Sequence, residues 1–356
     1  MPTPYRVPVF DLIADEPGID LTVLYSSERE PNRHWTTPQG RVRTIFLKQR
    51  IIVLGENKYI HVNWGVWREL RRIRPHVVVT NGFNITDLLV LLYAWRSGAR
   101  AVCQIDGTLE SERTLTGVHR LVRRIGNHLT HAYAGPSEST MRLFSTFGAR
   151  PSDVFWSPLA IDNAAFRQPA LTERRFDLLF SGRLTEVKNP VFAVRAAGDA
   201  SRRLGRPVRL LVAGRGELED EMRAAASAFT DLQVEFRGFV QQGELPELYG
   251  SAKLFLFPTN WDPWGVVANE AAAAGTPTIV SPHAGAAGEL IRNDREGLVV
   301  PLDLDLWVEA IVGLLRDTDH WHRLSTGSAE HVRDYSWRAA AAGFVDAIDH
   351  AAQPRA

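Results

Sequence analysis

The chain has almost no cysteine: Cys103 stands alone among 356 residues. A single thiol excludes an internal disulfide framework and any cysteine-based zinc site. Lysine is nearly absent as well, with 4 against 37 arginines. A lysine is therefore a rare choice in this composition. Long apolar runs are missing. The longest strongly apolar stretch is 88–94, with Asp87 and Arg96 beside it, far short of the roughly 18–20 residues that span a bilayer. No basic, then apolar, then small-residue leader opens the sequence, which predicts a cytoplasmic protein without a secretory signal. There is no excess of charge of either sign, with 41 basic and 41 acidic residues. A nucleic-acid partner is not expected from such a balance.

What is there is globular. Hydrophobic residues make up 45% of the chain, and the length is about twice that of a common domain of roughly 100–200 residues. Two domains are expected, at 1–160 and 161–335. Charge divides between the halves: residues 1–160 hold 20 basic and 14 acidic side chains, and residues 161–356 hold 21 and 27.

Strand and helix signals alternate in both halves. Strands are expected at 19–25, 42–47, 76–80, 101–105 and 131–135, with helices at about 61–73, 85–97, 114–128 and 138–147. The second half predicts strands at 176–181, 208–213, 233–237, 254–257, 276–281 and 297–300. Its helices are expected at about 189–204, 217–228, 244–250, 263–274, 284–291, 304–316, 319–331 and 337–351. Such alternation implies parallel sheets covered on both faces. The fold class is α/β, two doubly wound domains facing a central cleft, joined by a linker at 157–175. The opening departs from this scheme. Pro2, Pro4 and Pro8 precede a helix-like 9–14 with no strand before it. A first strand upstream of Met1, or a misassigned start, would account for it, and Thr3, Pro4, Tyr5 and Arg6 would then form the turn after that strand.

Ligands of doubly wound folds sit at the carboxyl ends of strands, beside helix N-termini. After 176–181 comes Gly182-Arg183-Leu184-Thr185-Glu186-Val187-Lys188-Asn189. Gly182 permits close backbone approach, and Arg183 and Lys188 can grip one anion, such as a diphosphate, from two sides. A solvated loop is the plain alternative, weakened by the choice of lysine. Gly214-Arg215-Gly216 after 208–213 lacks the third glycine of a dinucleotide fingerprint and reads equally well as a tight turn. The most informative segment is Asp262-Pro263-Trp264-Gly265-Val266-Val267-Ala268-Asn269-Glu270. Asp262 is expected as the helix N-cap with Pro263 at the first helical position. The amides of Trp264, Gly265 and Val266 would then be free for an anion. Glu270 falls on the same face as Val266, Val267 and Ala274, where a carboxylate is costly without a partner. Ribose hydroxyls would provide one.

These residues resemble a known family. Gly182-Arg183 with Lys188-Asn189, Asp262 and Glu270 eight apart, and Glu270-Ala271-Ala272-Ala273-Ala274-Gly275-Thr276-Pro277 are similar to the retaining glycosyltransferases of family 4 (glycosyltransferase group 1). The similarity runs from about 13 to 337 and is strongest in 176–300. Tyr335-Ser336-Trp337 resembles the entry to the family's last helix, here 336–356, which crosses back to the first domain. One position departs: the family's first acid is usually glutamate, and here it is Asp262.

The resemblance implies a GT-B fold and transfer of a hexose-type sugar from a nucleoside-diphosphate sugar to an acceptor hydroxyl, in surface-polysaccharide or secondary-metabolite assembly, without a metal or a cofactor. It assigns Arg183 and Lys188 to the diphosphate and Asp262 to hydroxyls of the transferred sugar. Glu270 would hold the ribose, Gly182 and the amides of Trp264, Gly265 and Val266 would meet donor, and the base would lie against Gly238, Phe239 and Val240. In the first domain Asp106 and Gly107, with Tyr5 and Arg6, are expected on the acceptor side, toward a glycan, a lipid-linked sugar or a small aglycone. Asp106 follows Ile105 where the family often has a histidine before the aspartate, so no histidine base is available there.

Other readings compete with these. Asp303-Leu304-Asp305 spells a metal-binding D-x-D, but it opens a helix and reads as an N-cap. His320 and His322 have no third ligand nearby. Asn84-Ile85-Thr86 is a formal glycosylation sequon without meaning in a cytoplasmic protein. Basic residues at 119–124 and at Arg68, Arg71, Arg72 and Arg74 allow peripheral contact with anionic lipid, or are solvated helix faces. An epimerase or sugar phosphorylase of the same architecture, or a non-catalytic partner subunit, stand as alternatives to transfer.

Overall fold

The computed structural model describes residues 1–28, 38–48, 50–55, 58–112 and 117–353. The chain folds as two units, Met1–Leu159 with Trp337–Ala356, and Ala160–Ser336.

The first unit opens with α1 (Val7–Ala14), β1 (Thr22–Tyr25) and β2 (Arg43–Phe46), the two strands pairing in parallel. Next come β3 (Arg50–Gly55) and β4 (Lys58–Val62), an antiparallel pair that the sequence reading lacked. The β4 stretch, Lys-Tyr-Ile-His-Val, alternates aromatic and β-branched residues and has strand rather than helix propensity. The helix expected from 61 therefore starts later, as α2 (Val66–Ile73). There follow β5 (Val77–Asn81), α3 (Ile85–Ser97), β6 (Arg100–Gln104), α4 (Leu109–Glu112), α5 (Gly117–His128), β7 (Ala132–Gly135), α6 (Glu138–Thr146) and β8 (Val154–Trp156). Strands β5-β6-β7-β8 form one parallel sheet in that order.

Helix α3 occupies its expected span because both ends are signalled. Asn84 accepts from the Asp87 amide, and Asp87 accepts from the Asn84 amide, a reciprocal capping box. Gly98 ends the helix with a φ of +76°. The sequon asparagine is thus a helix cap. Part of the helix expected at 114–128 lies outside the described residues.

In the second unit, β9 (Phe176–Ser181), α7 (Pro190–Leu204), β10 (Val208–Ala213), α8 (Glu219–Ser227), β11 (Leu232–Gly238), α9 (Leu245–Gly250), β12 (Ala252–Phe257), α10 (Val266–Ala273), β13 (Thr278–Val280), β14 (Gly297–Val299), α11 (Leu304–Arg316) and α12 (Thr318–His331) alternate. The sheet is wholly parallel in the order β11-β10-β9-β12-β13-β14. Strands β9, β10, β12 and β13 are buried along nearly their whole length, and Leu178, Phe180, Leu210, Val212, Leu254 and Leu256 pack with α7 and α11 into one core. The last helix, α13 (Trp337–Ala352), lies in the first unit, where Phe344 and Ala347 pack with Val9 and Ile13 of α1.

The helix expected at 284–291 does not form, and turns fill this segment. Its backbone bonds elsewhere: the Gly285 amide donates to Asp262 O (2.9 Å) and the Ala286 amide to Trp264 O (2.9 Å). Two glycines, Gly285 and Gly288, also lower its helix propensity. Among the described residues, no helix is long and apolar enough to cross a membrane.

Candidate functional site

The order of the second sheet reverses direction between β9 and β12, and such a switch point opens a crevice at the carboxyl ends of those two strands. The segments leaving β9 and β12 carry the residues singled out above.

The turn after β9 is held from below. The Gly182 amide donates to Ala213 O (2.9 Å), the Leu184 amide to Arg215 O (2.9 Å) and the Gly214 amide to Gly238 O (2.7 Å). A Cβ at Gly214 would stand 1.8 Å from Gly182 O. Gly214 and Gly216 therefore serve close backbone packing, which settles the G-x-G as a structural turn. Arg183 is exposed.

Lys188 ends a 3-10 turn, Glu186–Lys188, and its ammonium forms an ion pair with Asp262. The two side chains are only 18% and 14% exposed. Nζ also stands 5.9 Å from the centre of the Phe257 ring. Backbone bonds impose this meeting. The Asn260 amide donates to Val187 O (2.8 Å), Asn260 Nδ2 to Glu186 O (2.8 Å), and Thr259 Oγ1 to Val187 O (2.8 Å). The loop after β12 is zipped to the turn after β9.

Asp262 is not the N-cap of α10. Helix α10 starts at Val266, with Gly265 as its cap at a φ of +96°. Asp262 instead closes a short turn, its Oδ1 accepting from the Trp264 amide at 3.1 Å. The Trp264 amide is thereby occupied, against the expectation that it was free. Trp264 itself is core: it is 1% exposed, its Nε1 donates to Asn269 Oδ1 (2.8 Å), and its ring stacks on Tyr335. Gly265 is required, because a Cβ there would lie 2.4 Å from the Phe257 ring. The Ala268 amide donates to Gly265 O (2.8 Å), which leaves the Val266 and Val267 amides at the start of α10 without intrahelical acceptors.

Glu270 lies one turn further along α10 and is half-buried. Desolvation pushes its carboxyl up to about 7, partly opposed by the Tyr249 hydroxyl. Tyr249 was not singled out from sequence. It is fully buried, and its hydroxyl lies beside Glu270 and Ser181 without a well-aligned hydrogen bond to either. Burial and the Glu270 charge hold its pKa well above the usual value. The far end of α10 is anchored by buried Arg174, which donates to Ala274 O (2.8 Å) and Gly275 O (3.1 Å). At the end of β11, Phe239 is exposed and Val240 half-buried.

In the first unit the structure brings Arg6 and Asp106 together. Arg6 Nη2 and Gln104 Nε2 each donate to Asp106 Oδ1 at 2.6 Å. Gly107 O accepts from Thr140 Oγ1 (2.8 Å), and Tyr5 is half-buried in the turn before α1. Asp303 caps α11 by accepting from the Leu306 amide (3.1 Å). His320 pairs with Asp294. Among the described residues no group of three or more His, Cys, Asp or Glu side chains could hold a metal.

Parts of the chain are similar to known proteins. Residues 162–331 match the family model of glycosyl transferases group 1. The D-inositol 3-phosphate glycosyltransferase of Frankia alni is 30% identical over 248 residues, 64% of this chain and 60% of that protein. An uncharacterized glycosyltransferase of Methanocaldococcus jannaschii is 32% identical over 163 residues, 45% of this chain and 41% of that one. The chain spans about half the length of the curated relatives it matches. Sucrose-phosphate synthase of Thermosynechococcus elongatus has the same fold, with a TM-score of 0.70 at 19% identity over 96% of this chain and 90% of that one. Anabaena HepE, solved with UDP and glucose, has a TM-score of 0.64 at 14% identity, covering 86% of each chain. The fold is GT-B, two Rossmann-like α/β units.

Proposed function

We propose that this chain, whose residues 162–331 match the family model of glycosyl transferases group 1, transfers a hexose-type sugar from a nucleoside-diphosphate sugar to an acceptor hydroxyl, with retention at the anomeric carbon. The observation that carries this reading is the ion pair of Lys188 with Asp262 at the switch point of the second sheet, with Glu270 one turn along α10. A cation, two carboxylates of different environment and a helix N-terminus match the parts of such a donor. HepE, solved with UDP and glucose, supports a nucleotide sugar as the ligand class.

The roles follow from chemistry. The leaving diphosphate gains negative charge as the glycosidic bond breaks. Arg183, Lys188 and the first-turn amides of α10 stabilise that charge, so the step needs no metal. Each charge-assisted hydrogen bond contributes about 1.5–3 kcal/mol. Asp262, facing Lys188, accepts from hydroxyls of the transferred sugar. Glu270 accepts from ribose hydroxyls, which return partners to a carboxylate that burial disfavours. The base lies against Gly238, Phe239 and Val240. The acceptor hydroxyl attacks the face from which the phosphate leaves and gives its proton to a phosphate oxygen. Arg6 and Asp106, with Tyr5 and Gly107, are assigned to the acceptor.

A thermal-shift screen of sugar nucleotides identifies the donor, since binding at 100 times Kd adds about 2.7 kcal/mol of stability. NMR of the product then reads the anomeric configuration. Retained configuration in a new glycoside supports the proposal. An inverted product, an epimerised free nucleotide sugar, or the absence of any shift would overturn it.

A further inference from the structure

A recess of about 810 Å³ opens in the first unit at the amino-terminal ends of β5 and β6. This is the sheet end opposite to the one where doubly wound folds bind substrate. Its walls carry Arg71, Arg74, Arg96, Arg100 and His76 over the ring of Trp67, and among the described residues no carboxylate lines it. None of the four guanidiniums makes an ion pair with a described residue. Arg6, Arg206 and Arg292, by contrast, each meet an acid.

A structural reason for the cluster exists. Helices α2 and α3 end here, and their C-termini favour nearby cations. Each helix end carries about half a negative charge, roughly one in total. Four guanidiniums exceed that severalfold. The floor does not absorb the excess. Trp67 Nε1 donates to Leu89 O (2.7 Å), and Tyr93 Oη, also in the lining, donates to Leu70 O (3.0 Å), so their polar atoms are already used. Arg71 is held in place over the Trp67 ring, 5.6 Å from its centre. The result is a preorganised cationic rim on an apolar floor. Guanidinium forks match phosphate oxygens in pairs.

We propose that this recess is a second anion site, binding a ligand with two or more phosphate groups, either a free phosphate compound or the phosphates of an anionic lipid surface. It does not depend on the donor site of the second unit.

The test uses the full chain and the substitution pair Arg71→Gln/Arg96→Gln, at exposed helical positions. Calorimetry with inorganic triphosphate and co-sedimentation with vesicles of phosphatidylglycerol and phosphatidylcholine separate the two sources. A free phosphate ligand predicts that one equivalent of triphosphate binds at least 10-fold more weakly to the pair variant. A lipid ligand predicts loss of sedimentation with the mixed vesicles, while pure phosphatidylcholine binds neither protein. In either case Arg71→Lys/Arg96→Lys restores binding, which separates loss of charge from loss of fold. The proposal is overturned if the glutamine pair binds triphosphate and mixed vesicles as the unsubstituted chain does, or if that chain binds neither.

Discussion

Lys188 and Asp262 lie 74 positions apart in sequence and form an ion pair where β9 and β12 end. Neither needs the other for helix formation, since α7 starts at Pro190 and α10 at Val266. What unites them is the switch point of the sheet. In the proposed transfer this pair would offer its ammonium to a phosphate and its carboxylate to a sugar hydroxyl.

Lys188→Ala is expected to lower kcat/KM by roughly 100- to 1000-fold, the range for losing one preorganised donor to a developing anion. It also leaves Asp262 without its partner, at a cost of about 1–3 kcal/mol. Denaturant unfolding of Lys188→Ala, Asp262→Ala and the double variant measures the coupling. A double variant as unstable as the sum of the singles would show that the pair contributes nothing to folding.

Glu270 predicts a pH dependence. Its carboxyl is raised from 4.5 to about 7. A raised acid favours the folded state while neutral, so this contribution is complete below about 4.5 and is lost as pH rises through 7. Glu270→Gln should remove that slope and stabilise the protein at pH 8 by about 2–3 kcal/mol. In the proposed donor site, ribose hydroxyls donate to the ionised carboxylate. Nucleoside-diphosphate affinity is therefore expected to rise between pH 6 and 8 in the unsubstituted chain and to rise less in Glu270→Gln. Equal profiles would remove Glu270 from the site.

Gly265→Ala places a methyl 2.4 Å from the Phe257 ring, at a φ of +96°. Strain and overpacking together are expected to cost about 2–4 kcal/mol, read as a lowered Tm. An unchanged Tm would show that the start of α10 readjusts freely.

The inner strands of the second sheet were legible because they are buried on both faces and read as continuous apolar runs. The bounds of Phe176–Ser181 and Val208–Ala213 coincide with those expected. Glu270 was legible as a carboxylate on an apolar helix face, and Asp262 through its spacing of eight from Glu270. The start of α10 was not. Asp-Pro is a good local cap, but the segment around 283–286 binds the backbone of Asp262 and Trp264 from outside, and this non-local partner pulls 262–264 out of the helix. The absent helix at 284–291 is the other side of the same exchange. Tyr249 could not be found in sequence, because its role arises only when α9 packs against α10.

Transfer is expected to survive excess EDTA, because the diphosphate partners named here are side-chain cations and amides. Asp303, the first acid of the D-x-D, is engaged as the cap of α11. Activity that EDTA removes and Mg²⁺ or Mn²⁺ restores would contradict this.

The most direct test of the donor site compares Asp262→Asn with Glu270→Ala. Asparagine still accepts from the Trp264 amide, so the turn is kept while the charge is lost. Titration with the nucleoside diphosphate and initial rates with the full donor are measured on both variants. Glu270→Ala should weaken by-product and donor alike, with about 1–3 kcal/mol at stake. Asp262→Asn should bind the nucleoside diphosphate nearly as the unsubstituted chain does while transferring sugar far more slowly. Transfer by Asp262→Asn at the unsubstituted rate would contradict the account, leaving Asp262 as a turn residue only.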